Sequence, residues 1–357
     1  MTEHVNDRRY TRRDALGLGV GTLTALLSST LLGCTAPHTA EDEALYESQR
    51  AAAQGAPDAD ATQSATEQDL ANISYDEQTI PLERNGIALH VVRTQVAGQN
   101  PERSILLAHG LTYSSHEFDI DYEDYSLVRF LARLGYAVWR VDIAGYGGSS
   151  ELWNGYLPNS DYAAEDVAAA AELAVQTDGR ERLDVLGWSW GTVVASRMAA
   201  WNPHLVNRLV LYAPVLRGLG ATNYLDPFHY NTWEHAASDF QRKEDGSFDD
   251  EVSDPVLREL YCASCWHYDG DSSPNGGRLD LCVDQSVELI DLASIPAPTL
   301  VVCGDADPII DLDAVNASIS LLPEGSKLEV IHGGGHILMY EKPYYHEFQQ
   351  CIATFLG

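Results

Sequence analysis

The chain has 357 residues, 45% of them hydrophobic, and a formal net charge of −31 with only three lysines (Lys243, Lys327 and Lys342). That length is enough for one large core with room for an insertion. A chain this acidic repels phosphate backbones and anionic lipid surfaces, which argues against nucleic acid as a partner and leaves solubility, or a salty or acidic surrounding, as the reading of the charge.

The first 33 residues read as a targeting segment. Arg8, Arg9, Arg12 and Arg13 precede an apolar run from Ala15 to Leu32 in which small residues are frequent. Thr11-Arg12-Arg13-Asp14-Ala15-Leu16 resembles the twin-arginine export signal. Leu31-Leu32-Gly33-Cys34 resembles a bacterial lipoprotein box, which implies cleavage before Cys34 and lipid attachment to its sulfur. The expected product is exported and touches the membrane through that anchor alone. The plainer reading of the same residues is a signal peptide or anchor helix in which Cys34 is incidental. Residues 34–75, rich in Ala, Asp, Glu, Gln, Ser and Thr, read as a disordered tether.

Folded structure is expected from there on. Thr79 to Glu83 and Ile87 to Arg93 are strand-like and flank Asn85-Gly86, a hairpin signal. Ser104 to Ala108 is a short apolar run suited to a strand buried on both faces. Asp124 to Leu134 has helical spacing, Tyr136 to Val141 is the next strand, and Asp161 to Gln176 is an Ala-rich helix with Ser160 placed to cap it. Leu183 to Leu186 predicts a strand and Gly191 to Ala200 a helix. Arg208 to Tyr212, Thr299 to Cys303 and Lys327 to Ile331 predict strands, and Asp311 to Leu321 and Tyr344 to Phe355 helices. Such alternation predicts a mostly parallel sheet covered on both faces. It stops across residues 214–294, an aromatic-rich stretch read as a cap inserted between core segments 76–213 and 295–357, with Asp269 to Arg278 as a loop.

Gly187-Trp188-Ser189-Trp190-Gly191 lies between a predicted strand and a predicted helix. This is the G-x-S-x-G nucleophile elbow, whose flanking glycines let strand and helix approach while the turn lifts the hydroxyl above the sheet. A serine hydroxyl is a poor nucleophile without a base. Gly333-Gly334-Gly335-His336 follows the last strand, where a loop above the sheet is expected, so His336 is preferred over His332, which stands at the strand end. The residue that orients the imidazole is expected in Gly304-Asp305-Ala306-Asp307-Pro308, and either aspartate satisfies that expectation.

Together these segments resemble the α/β-hydrolase superfamily over about residues 79–356. His109-Gly110 after a strand, Asp142 to Ser149 (D-x-x-G-x-G-x-S), the elbow, Gly304 to Asp307 (G-x-x-D), and Gly335-His336 with Glu341 and Pro343 carry the likeness. The resemblance implies an α/β-hydrolase fold with an inserted cap. It selects Asp307 as the acid and places the oxyanion donors at the backbone amides of Leu111 and Trp190. It implies hydrolysis of a small-molecule ester with no cofactor and no metal. His109-Gly110-Leu111-Thr112 departs from the H-G-G-G loop of many lipases. Ser189 stands where epoxide hydrolases and haloalkane dehalogenases use aspartate. Ser-Trp-Gly is similar to proline iminopeptidases, so amide or aminopeptide cleavage is the alternative, with Glu234, Asp239 and Glu259 as candidates for reading an amine. A tethered binding protein without turnover is the alternative from another class.

Two further clusters have bland readings. The acidic run Asp119, Asp121, Glu123, Asp124 reads as a solvated loop rather than a cation site. Export permits disulfides, so Cys262, Cys265 and Cys282 are expected to contain one, with a zinc site including His267 as the less common outcome. Cys303, in an apolar strand pattern, is expected in the core.

Overall fold

The computed structural model describes residues 73–222 and 226–357. The expectations for the export segment, Cys34 and nearly all of the tether lie outside these residues. In chain order the elements are β1 (Tyr75–Arg84), β2 (Ile87–Val96), β3 (Arg103–Ala108), α1 (Leu127–Arg133), β4 (Tyr136–Asp142), α2 (Ser160–Asp178), β5 (Leu183–Trp188), α3 (Trp190–Trp201) and β6 (Val206–Tyr212). An inserted region follows, with β7 (Phe228–Tyr230), α4 (Trp233–Ala236), α5 (Pro255–Asp269), β8 (Ser272–Pro274) and α6 (Gly276–Leu281). The chain closes with β9 (Thr299–Gly304), α7 (Leu312–Ser318), β10 (Lys327–Ile331) and α8 (Tyr345–Leu356).

Eight strands form one sheet in the order β1-β2-β4-β3-β5-β6-β9-β10. The β1–β2 and β2–β4 pairs are antiparallel, and every later pair is parallel. Asn85 and Gly86 make the first hairpin turn at φ 54° and 78°, the positive values that a two-residue turn demands and these residues tolerate. The central strands are buried along their whole length, which is why they read as continuous apolar runs. Leu183 and Val185 pack into the layer under α2 and α3, whereas Leu186 and Trp188 pack into the opposite layer, which α1, α5 and α8 complete. The fold is therefore an α/β-hydrolase fold, with a mostly parallel sheet covered on both faces.

Helix starts follow local capping. The expected helix from Asp124 begins only at Leu127, because Ser126 accepts the Arg129 amide and ends the preceding loop. Asn159, not Ser160, caps α2 through the Tyr162 amide at 2.9 Å, and Ser160 Oγ instead accepts Trp190 Nε1 at 2.9 Å. The stretch from Asp269 to Arg278, expected to be a loop, instead holds β8, paired with β7, and the start of α6.

The β5–α3 turn is a tight junction. A Cβ on Gly187 would lie 2.2 Å from the Gly191 carbonyl oxygen, and one on Gly191 would lie 2.2 Å from the Ala108 oxygen. Gly191→Ala therefore forces α3 away from the end of β3, and we expect a loss of about 3 kcal/mol or more in urea unfolding. Gly86→Ala meets no neighbour within 4 Å. It adds only left-handed strain and should cost about 1 kcal/mol in the same measurement.

Candidate active site

Ser189 joins β5 to α3 at φ 54° and ψ −120°, outside the regions an L-residue prefers. Its amide donates to the Tyr212 oxygen at 3.0 Å, and its carbonyl accepts from Thr192 Oγ1 at 2.6 Å. Strand pairing on one side and the first helical turn on the other thus hold the strained residue. The flanking tryptophans are packing residues: Trp188 is buried in one apolar layer and Trp190 in the other. Trp190 is the first residue of α3, so its N–H has no acceptor within the helix.

His336 and Asp307 meet at the ends of β9 and β10. His336 Nδ1 lies 2.7 Å from Asp307 Oδ2, with both side chains almost wholly buried. The other oxygen of Asp307 accepts the Ile309 amide at 2.8 Å. Trp188 Nε1 and Tyr212 Oη each donate to the His336 carbonyl at 3.1 Å, and the Trp188 and His336 rings lie 5.6 Å apart. These bonds tie the histidine loop to the residue next to Ser189. A Cβ on Gly304 would fall 1.8 Å from the Gly334 oxygen, so the two loops touch backbone to backbone. Asp305 and His332, the rivals, pair with each other at 2.6 Å on the surface.

Burial works against the charged form of His336. The Asp307 carboxylate outweighs it, with help from Asp239 and Glu341, and holds the imidazole above its ordinary value. Glu341 is itself pushed up to about 7 by burial, although the Gly335 amide and Gln241 donate to it.

The segment from His109 to Thr112 faces the serine. His109 Nε2 accepts the Ile143 amide at 3.0 Å, so its proton sits on Nδ1, which donates to the Gly110 oxygen at 2.8 Å. Burial lowers its pKa, and the ring acts as a neutral strut. A Cβ on Gly110 would lie 3.6 Å from the Ser189 Cβ. Three features here were invisible in the sequence. Glu117 is buried and accepts the Gly110 amide at 2.7 Å, and burial raises its carboxyl well above the usual range. Thr112, a β-branched residue, sits at φ 83°. The Arg278 guanidinium donates to its hydroxyl. In sequence Glu117 looks like any surface acid, and nothing links Thr112 to a residue 166 positions later.

The insertion contributes directly to this site. A Cβ on Gly277 would lie 2.7 Å from the Trp190 ring and 2.8 Å from the Leu111 side chain, so α6 seats on both expected oxyanion residues. Of the three acids considered for amine recognition, Glu234 and Glu259 are exposed. Asp239 is half-buried and acts electrostatically on both His336 and Asp307; burial raises its pKa.

The disulfide expected among Cys262, Cys265 and Cys282 is not formed. Cys262 and Cys265 lie one turn apart on α5 and both bury in the apolar layer with Phe240 and Tyr261, whereas Cys282 follows α6 outside that layer. Nor do the three gather with His267 into a metal-ligand group among the described residues. Cys303 is buried in β9 as expected. The acidic run is engaged in structure: Asp119 accepts from Ser126, Asp121 pairs with Arg129, and Asp124 accepts from Tyr345.

A mostly parallel sheet of this order, with such a turn closing its central strand, is the framework of the α/β-hydrolase class. Residues 103–343 match the alpha/beta hydrolase fold family, and the chain belongs to it. It is 28% identical over 248 residues, 66% of this chain and 84% of the other, to a Synechocystis protein provisionally named a non-heme chloroperoxidase. It is 24% identical over 265 residues, 71% of this chain and 80% of the other, to the uncharacterized carboxylesterase nap of Bacillus subtilis. Among solved structures, naproxen esterase from Bacillus subtilis superposes with a TM-score of 0.57 at 18% identity, covering 90% of this chain and 100% of that one. Family membership makes the chain a hydrolase of this fold, with a protein named as a carboxylesterase among its relatives.

The electrostatics predict a titration. The His336 ring, followed by NMR, should titrate above 6.5. Asp307→Asn should drop it below that value, because burial then acts unopposed, and Asp239→Asn should lower it less. A raised folded pKa stabilises the fold fully below the unfolded value of about 6.5, and that contribution fades as pH rises through the folded one. Asp307→Asn should remove this slope from the pH dependence of unfolding.

Proposed function

We propose that the protein is a serine hydrolase that cleaves a carboxylic ester through an acyl-enzyme intermediate, with Ser189 as nucleophile, His336 as general base and then acid, and Asp307 as the orienting carboxylate. The observation that carries this reading is the 2.7 Å Asp307–His336 pair held against the strained Ser189 turn. With Nδ1–H donated to Asp307, Nε2 is the bare nitrogen, fit to take the Ser189 proton. The alkoxide attacks the ester carbonyl. Charge developing on the carbonyl oxygen falls to the amides of Leu111 and Trp190, the latter at the positive end of α3. His336 then protonates the leaving alcohol, and water, deprotonated by the same imidazole, clears the acyl group.

Thr112 and Ser189 both hold uncommon backbone angles on either side of this proposed oxyanion site. Strain of about 1–3 kcal/mol per residue persists only where the surroundings enforce it, and it concentrates at functional sites. The carboxylesterase relatives favour an ester over other acyl compounds.

One observation favours a second reading, amide or aminopeptide cleavage. The Asp239 carboxylate accepts no hydrogen bond among the described residues while lying close enough to act on His336. A substrate ammonium group would supply the missing partner. The export segment and Cys34 further suggest a lipid-anchored extracytoplasmic enzyme, a reading that rests on residues 1–34 alone.

A fluorophosphonate probe tests the chemistry. We expect the wild type to be labelled at Ser189, and Ser189→Ala to lose labelling together with at least about 10⁴-fold of its turnover of an activated ester. An unlabelled wild type would mark a binding protein on the same fold. Comparing neutral esters with aminoacyl amides separates the two enzymatic readings, since only the second makes Asp239→Asn raise KM for amine-bearing substrates alone.

A further inference from the structure

Away from the Ser189 site, three side chains from separate elements converge. His90 lies on β2, Asp142 ends β4, and His116 stands in the turn Ser115–Phe118. One donor atom from each lies within 4.8 Å of the others. We propose that His90, His116 and Asp142 form a binding site for a divalent transition-metal ion such as zinc, which fastens the Ser115–Phe118 turn to the sheet.

The argument starts from Asp142. It is fully buried, and no lysine or arginine pairs with it among the described residues. A buried carboxylate without a cation is costly unless it is well hydrogen-bonded or coordinates a metal. Its hydrogen bonds come from neutral donors. Oδ1 takes the Ser115 amide at 3.0 Å and the Ser115 hydroxyl at 2.6 Å, and Oδ2 takes the Gly148 amide at 2.9 Å. Each carboxylate oxygen has two acceptor positions. Oδ1 is therefore filled, and Oδ2 keeps one position open. A carboxylate fixed by outer hydrogen bonds with one position to spare is the arrangement that metal ligands adopt.

The imidazoles supply the rest. Neither ring nitrogen of His90 or His116 makes a hydrogen bond among the described residues. The His116 ring lies flat on Tyr268, with centroids 3.3 Å apart and planes at 5°, a stack that leaves it rotation within its own plane. The His90 ring faces Gly148, where a Cβ would come within 2.8 Å of it, so only glycine there leaves the imidazole its place. Both histidines are half-buried. A tetrahedral ion with bonds of about 2.1 Å holds its ligand atoms about 3.4 Å apart, so modest rotation of the two imidazoles closes the present spread.

The donor set selects the ion. Two imidazoles and one carboxylate suit zinc and its first-row neighbours, whereas magnesium and calcium prefer an all-oxygen shell. His116 also borders a cavity of about 180 Å³ that it lines together with Glu77, Asp119, Asp121, Arg129 and Arg140.

The site has a consequence for the neighbouring loop. Glu117 follows His116 directly and holds the Gly110 amide at 2.7 Å. An ion at His116 would pin the turn carrying Glu117 and stiffen the backbone leading into Leu111.

The test titrates untagged full-length chain, stripped with chelator and desalted, with zinc chloride by calorimetry, and with cobalt(II) by visible absorbance. Wild type should bind one ion and melt at a higher temperature with zinc, and cobalt should give the visible bands of a low-coordinate nitrogen–oxygen site. His90→Gln and His116→Gln should each weaken binding at least about tenfold, 1.4 kcal/mol, and the double variant should lose both the cobalt bands and the thermal shift. The histidine variants are chosen because Asp142 organises the Ser115 and Gly148 amides, and its loss would disturb folding. Wild-type stoichiometry in a folded double variant, or no binding at about 100 μM zinc, far above useful affinity for such a site, would overturn the proposal.

Discussion

The structure hangs on a serine backbone that is not allowed to relax. At φ 54° and ψ −120°, Ser189 occupies a conformation costing about 1–3 kcal/mol. Gly187 lets β5 approach α3 and Gly191 lets α3 approach the end of β3, and the Tyr212 carbonyl and Thr192 hydroxyl grip the serine from either side. The two neighbouring tryptophans then anchor the turn in opposite apolar layers. Trp188 also reaches the His336 carbonyl. The histidine loop is thus positioned by the same turn that strains the serine, and the two cannot move independently.

Around that turn the molecule gathers more acidic groups than one imidazole needs. Asp307 is hydrogen-bonded to His336, while Glu117, Asp239 and Glu341 are buried or half-buried nearby with raised pKa values. Each acid has a separate restraint. Glu117 holds the Gly110 amide and Glu341 the Gly335 amide, so these two act on loop backbone. Asp239 holds no backbone. That difference is why Glu117 and Glu341 read as framework, whereas Asp239 acts on His336 through its charge alone.

The core of the fold was legible because its signals are local. Alternating apolar runs, Asn85-Gly86 and the glycine-flanked serine each specify a conformation within a few residues, and the sheet followed. Segment ends failed where two residues compete for one role: Asn159 and Ser160 are both good caps, and only the distant Trp190 indole decides which is free to cap. The insertion failed more broadly. Its β7–β8 pair is three residues per strand, too short for a periodic signal. Cys262 and Cys265 looked like a framework pair because cysteine spacing is blind to which face of a helix is buried. Resemblance alone prefers Asp307 to Asp305, and in the structure the two aspartates differ in burial and in the histidine they meet.

This division of legibility follows a division of labour. The groups proposed to react stand at the carboxyl ends of sheet strands, where local rules dictate geometry and where open α/β sheets place their ligands. The groups that border them from outside come from the insertion: Asp239 toward His336, Arg278 on Thr112, and Gly277 against Leu111 and Trp190. Asp269 at the end of α5 docks that insertion onto the core by accepting the Ser114 and Gly147 amides at 3.0 and 2.9 Å. Because Ser114 directly precedes the turn that carries Glu117, the insertion and the Gly110 backbone are mechanically joined. A shift of the insertion would therefore reach the proposed oxyanion amide through the same backbone.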